Sequence, residues 1–122
     1  MNILPIVSTL QASAAATAVL GDQIRVYEDI APRKTDFPYA VWSVVHGEPD
    51  NNLDCPATTD HISFQIVVYD SNQKRASEVR QVVRQVLEQH CYVTAIHPSH
   101  FERIADTNIF GRGFDANWFL DR

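Results

Sequence analysis

His90, Cys91, His97 and His100 are metal-binding residue types gathered in one short stretch. His97 and His100 stand three apart in His97-Pro98-Ser99-His100. A structural zinc site takes four ligands, usually delivered as close-spaced pairs. No second close-spaced pair accompanies this one, and Pro98 upsets the helical or strand spacing the pair would need. Surface loop histidines are the simpler assignment. Asp50, Asn52 and Asp54 alternate as in the start of a calcium-binding helix–loop–helix. However, Cys55 stands where that loop needs glycine, and His61 where it needs glutamate. The expectation is therefore no metal and no cofactor.

Nucleophiles fare no better. Ser43, Ser63 and Cys91 have no base at local spacing, although triads assemble in space and not along the chain. The phosphate-loop, dinucleotide, nucleophile-elbow and zinc-protease patterns are missing from the sequence. Gly111-Arg112-Gly113 is too short to cradle a phosphate and reads as a loop turn. Trp42 and Trp118 are suited to lining a ligand pocket, but core or interface aromatics are the plainer reading. The chain is expected not to be an enzyme.

The most unusual stretch is His46 to Asp60, HGEPDNNLDCPATTD. It carries Glu48, Asp50, Asp54 and Asp60 and no Lys or Arg. Hairpin loops usually run about 2–5 residues, so a long acidic connection is expected to hold or touch something. Glu48, Asp50, Asn51, Asn52, Asp54 and Asp60 are its candidate contact residues. The acid is unevenly distributed: no basic residue stands between Lys34 and Lys74, whereas the next segment holds Lys74, Arg75, Arg80 and Arg84. Such asymmetry suits head-to-tail self-association. Arg80, Arg84 and Phe119 are candidate subunit contacts. The net charge of −5 argues against a general nucleic-acid binder, which presents a basic face.

These residues need a scaffold. The 122 residues fit one domain, 1–122, and 45% hydrophobic with 20% charged is ordinary for a globular chain. No apolar run approaches the roughly 20 residues of a membrane span. The N-terminal stretch lacks a basic start and carries Pro5, Ser8, Thr9 and Gln11 where a signal peptide is apolar. It reads instead as a helix over 3–20, with Ile3, Val7, Leu10, Ala14 and Ala18 on one face and Gly21 as its stop. Two widely separated cysteines, Cys55 and Cys91, suit a reduced protein without excluding one disulfide.

Strands follow at 24–27, 39–46 and 61–70, and in the second Tyr39, Val41, Ser43 and Val45 are expected to point one way and Ala40, Trp42, Val44 and His46 the other. In the last, Ile62, Phe64, Ile66 and Val68 form the core face. A helix over 73–90, capped by Ser71 or Asn72, buries Ala76, Val79, Val83, Val86 and Leu87. Further strands are expected at 92–96, 101–105 and 114–121, with 106–113 as a loop. Phe119 is apolar on the polar side of the last strand and marks a second surface to be buried. The expected class is α+β: a mostly antiparallel β-sheet with two helices packed on one face.

The ordered pieces carry a resemblance. They are an Ala-rich first helix with Gly21, Val26-Tyr27, Ala31-Pro32, Phe37-Pro38-Tyr39, Gly47-Glu48-Pro49, Gln65-Ile66-Val67-Val68-Tyr69 and a terminal alternating strand. Together they resemble the tail-completion, or tail-terminator, proteins of long-tailed bacteriophages and prophages. The resemblance implies a structural protein and not an enzyme. It implies a homo-oligomeric ring, commonly a hexamer, at the head-proximal end of the tail tube. There the ring would end tube polymerisation and dock the head–tail connector, while DNA passes through the bore without specific binding. The implied partners are other copies of the chain, the tail tube protein and the connector. The implied location is the virion tail, after assembly in the host cytoplasm, with no membrane. A head–tail adaptor or other neck protein is the nearest alternative. A small ligand-binding or enzymatic α+β domain and a DNA-binding regulator are the rivals of a different class.

Overall fold

The computed structural model describes residues 4–49 and 59–121. The elements in chain order are α1 (Ile6–Gln11), α2 (Ala14–Leu20), β1 (Val26–Glu28), β2 (Tyr39–Pro49), β3 (Thr59–Asp70), α3 (Gln73–Leu87), β4 (Tyr92–Ile96), β5 (His100–Ile104) and β6 (Thr107–Asp121). The sheet runs β1-β2-β3-β6-β4, and β5 also pairs with β6. Among the described residues, only β1–β2 is parallel. The class is α+β with a mostly antiparallel sheet, as expected, but the described residues hold three helices and not two.

The extra helix comes from Ser13. A continuous helix over 3–20 would leave this residue mid-helix, where its hydroxyl competes for backbone donors. Instead Ser13 is extended and its Oγ accepts the amide of Ala16 at 3.3 Å, which caps a separate α2. Gln11 then braces the turn after α2: its side chain donates to the Asp22 carbonyl and accepts from the Ile24 amide.

Strand periodicity explains the core. Ile62, Phe64, Ile66 and Val68 of β3 are buried, and so are Phe114, Ala116 and Trp118 of β6 and Ala40 and Trp42 of β2. The buried stripe of α3 is Ala76, Val79, Val83 and Leu87. This helix lies against β3 and β6, and α1 and α2 lie against α3. The residues pack as one cluster with Leu4, Ile6, Leu10 and Leu20.

Two expectations are corrected. The first is that residues 106–113 form a loop. They belong almost entirely to β6, which pairs with β3 from Asp70↔Phe110 onward and with β5 through a tight turn at Ala105 and Asp106. Both turn residues have positive φ, 48° and 67°, the backbone of a two-residue hairpin without its usual glycine or asparagine. The second is the phase of β2. A bulge between Val44 and His46 inserts Val45 as an extra residue. Beyond it His46 sits opposite Ser63 and Glu48 opposite His61. His46 therefore shares the face of Ser63, away from the buried one.

Candidate assembly interface

One side of the sheet meets the helices. The other carries Ser43 of β2, Ser63, Gln65 and Tyr69 of β3, and Asp115 and Asn117 of β6. A polar ladder crosses it: the Gln65 amide donates to Ser43 Oγ at 3.3 Å, and Ser63 Oγ donates to Asn117 Oδ1 at 2.7 Å. His97 joins the ladder from the β4–β5 connection, with Nε2 2.7 Å from Asp115 Oδ1. Its amide donates to the Gly113 carbonyl at 3.0 Å. Gly113 allows this approach, because a Cβ there would lie 2.7 Å from the Ile66 carbonyl and 2.8 Å from His97 Nδ1. The Gly111-Arg112-Gly113 stretch is thus a strand that lets a neighbouring connection lie close, and not a loop turn.

At one end of this side is an open groove of about 800 Å³, lined by Ile30, Phe37, Tyr39, Tyr69 and Ile104 among others. Phe37 stacks on Tyr39 at 5.6 Å between centroids, and Tyr39 lies 5.5 Å from Tyr69. Burial pushes both phenols above their ordinary range, reinforced by Tyr69 acting on Tyr39 and by Glu102 acting on Tyr69. The groove mixes apolar and aromatic side chains with Asp29, Lys34 and Glu102, and Ile30 and Ile104 are well exposed.

At the other end stands the root of the acidic connection. Glu48 lies 3.6 Å from His46 Nε2 and 3.9 Å from His61 Nδ1. The His61 ring stacks on Phe119 at 4.7 Å, and Tyr92 meets Phe119 edge-on. Glu48 and Asp60, expected in the connection, stand instead in β2 and β3, which run on to Pro49 and from Thr59 and pair Glu48 with His61 and Pro49 with Asp60. Asp50, Asn51, Asn52 and Asp54 lie outside the described residues. Phe119 is 45% exposed, so its neighbours cover it only in part.

The candidate subunit contacts are not brought together. Phe119 shares the open side with His61, whereas Arg80 and Arg84 stand on α3, across the sheet. Arg84 is held by Glu88. Trp42 and Trp118 are core residues, the plainer of their two readings: both are buried, and Trp118 stacks on His90. Among the described residues, no group of three or more His, Cys, Asp or Glu is placed to hold a metal. The Cys91 thiol is free and buried. No helix among the described residues is long and apolar enough to cross a membrane.

Sequence reasoning missed Arg112. It occupies the core side of β6, in phase with Phe114, Ala116 and Trp118, and is 5% exposed. Its guanidinium donates to Ser77 Oγ at 3.3 Å and to the carbonyls of His100 and Gly111 at 3.2 and 2.9 Å. It also lies over the Phe110 ring. The available signal was a cation at an inward position of the strand, hidden when 106–113 is read as a loop.

No curated protein matches the chain. Among solved structures, a chain of the "Virion of native gene transfer agent (GTA) particle" superposes with a TM-score of 0.63 at 12% identity. The match covers 96% of this chain and 92% of that one, and it shows a shared fold. The family model "Tail completion protein gp17" matches residues 5–108. This spans the helices, the groove, the root of the acidic connection and the β5–β6 turn, and the chain therefore belongs to the tail completion protein gp17 family, structural proteins of bacteriophage tails.

Proposed function

We propose that the chain is a tail terminator. Copies form a ring, most simply a hexamer, on the head-proximal end of the tail tube. The ring ends tube polymerisation and provides the surface that the head–tail connector docks on. The family match over residues 5–108 carries this reading. The geometry supports it. The sheet ends in two unlike edges, the short parallel β1 on one side and β4 with β5 on the other. A head-to-tail ring joins unlike surfaces in this way. The groove by Tyr39 and the half-covered Phe119 leave apolar area for neighbouring chains.

The far end of the β2–β3 pair, with the acidic stretch His46 to Asp60, meets the tube or lines the bore. Glu48, Asp50, Asn51, Asn52, Asp54 and Asp60 are its contact residues. Carboxylates facing a DNA conduit repel phosphates, so DNA passes without being gripped. Arg80, Arg84 and Phe119 serve contacts between copies. The protein is taken up into the virion tail after assembly in the host cytoplasm.

The test is light scattering and negative-stain imaging of the purified chain with and without assembled tail tubes. Capped tubes, or rings of about six chain masses, are expected. A chain that leaves tube ends bare overturns the reading. Tube capping unchanged after deletion of residues 50–58 overturns the role of the acidic connection.

A further inference from the structure

Among the described residues, the buried cation Arg112 has no carboxylate partner. A buried charge is expected to be paired with an opposite charge. The nearest opportunity, the Asp70 carboxylate on the adjoining strand, is taken by Arg75 through two hydrogen bonds. Arg112 is left with a hydroxyl, two carbonyls and the Phe110 ring as partners. It meets α3 at Ser77, and Arg80 stands one helical turn further on, on the same helix face. Arg80 is half-buried and makes no side-chain hydrogen bond or ion pair among the described residues. Burial, then Arg112, then Arg84 depress its pKa. Two guanidiniums thus stand close enough to oppose each other, and neither has a carboxylate partner among the described residues.

We propose that Arg80, backed by Arg112 and Ser77, is a receptor for the Glu48 carboxylate of a second copy of this chain, so that Glu48 joins copies while the remaining acidic residues of His46–Asp60 are left to the tube or bore. The proposal rests on the ring reading above and names the contact that would join its copies. Charge complementarity selects the occupant. The stretch from Thr35 to Gln73 contains Asp36, Glu48, Asp50, Asp54, Asp60 and Asp70 and no Lys or Arg, and Asp70 is already committed. Glu48 is 60% exposed on its side chain, with only histidines beside it. A guanidinium pair recognises a carboxylate by charge-assisted hydrogen bonds. A DNA backbone is the poorer fit, because it needs cations repeated along a track and a chain that is not net negative. Glu48 lies at the far end of β2, and the receptor on α3 and at the opposite end of β6. One chain therefore offers each half to a different neighbour, which makes a heterologous contact.

The test is titration of the full-length chain with a synthetic peptide of residues 46–60, carrying Cys55→Ser, followed by NMR. Binding to the wild type is expected, with Arg80→Glu weakening it about tenfold or more. Arg80→Gln, shorter, polar and uncharged, serves as a second variant should the reversal misfold. Peptide binding that is absent, or indifferent to both variants, overturns the proposal. So does duplex DNA or inorganic phosphate binding more tightly than the peptide with the same dependence on Arg80. Tube capping by the wild type is measured separately. Capping without peptide binding sinks this contact alone, and peptide binding without capping sinks the ring alone.

Discussion

Arg75 holds the carboxylate of Asp70 in a two-pronged grip, with Nε 2.5 Å from Oδ2 and Nη2 2.7 Å from Oδ1. Asp70 is completely buried and Arg75 is half-exposed, so the pair is unequal. Losing Arg75 strands a buried negative charge, whereas losing Asp70 releases a cation into water. Arg75→Met is expected to cost about 3 kcal/mol and Asp70→Asn about 2 kcal/mol. Urea unfolding of both variants checks the order. An Arg75→Met loss smaller than that of Asp70→Asn would show that the grip does not govern this end of α3.

Much of this architecture was legible because it obeys short periods. The alternation Ile62, Phe64, Ile66, Val68 is buried throughout, and the stripe Ala76, Val79, Val83, Leu87 faces the core. Asn72, one of two expected caps, takes the Arg75 amide at 2.9 Å. What escaped depends on competition that a periodic pattern does not record. Ser13 breaks a helix that Ala14, Ala15 and Ala16 would otherwise extend. The turn at Ala105 and Asp106 carries none of the usual glycine or asparagine, so the β5–β6 pair looked like a loop. Val45 is an extra residue whose neighbours alone reveal the bulge. Of the candidate site, Glu48, Asp60 and Phe119 were legible as polar or apolar residues out of place, whereas the anion-free surroundings of Arg112 needed coordinates.

Gly113 and Gly111 look alike in sequence but face different neighbours. A Cβ at Gly113 would meet the Ile66 carbonyl, His97 Nδ1 and Val67 Cγ2, all under 3.0 Å. At Gly111 the nearest atoms, on His100, are 3.4 Å away. Gly113→Ala is expected to destabilise by about 1–3 kcal/mol and to weaken protection of the His97 amide in hydrogen exchange. Gly111→Ala is expected to stay within about 0.5 kcal/mol of wild type. Equal costs would mean that the His97 approach does not constrain this strand.

Cys91 makes stability fall in alkali. Burial first, and Glu88 second, push its thiol from 9.0 to about 11. The folded chain then holds this proton more tightly than the unfolded chain does. The contribution is complete below about pH 9 and is lost as pH rises toward 11, at no more than about 1.4 kcal/mol per pH unit. Cys91→Ala is expected to lack this component. Urea midpoints of the two proteins measured from about pH 8.5 to 10 should draw together, since Tyr39 and Tyr69 are common to both and their contribution cancels. Parallel curves would refute the assignment.

Phe119 separates folding from assembly. It lies on the side of β6 away from the core, stacked on His61 and edge-on to Tyr92, and remains 45% exposed. Its neighbour Trp118 points the other way and is buried. Phe119→Ser should therefore cost at most about 1 kcal/mol of stability, while Trp118→Ala should cost about 3–5 kcal/mol. If the exposed ring is a contact between copies, Phe119→Ser also reduces tube capping at least about tenfold, since buried aromatics dominate interface energies. Unfolding curves and counts of capped tubes from the same preparation check both halves. A Phe119→Ser chain that is fully stable and caps tubes normally would remove Phe119 from the interface and leave the Tyr39 groove as the apolar surface for a neighbouring chain.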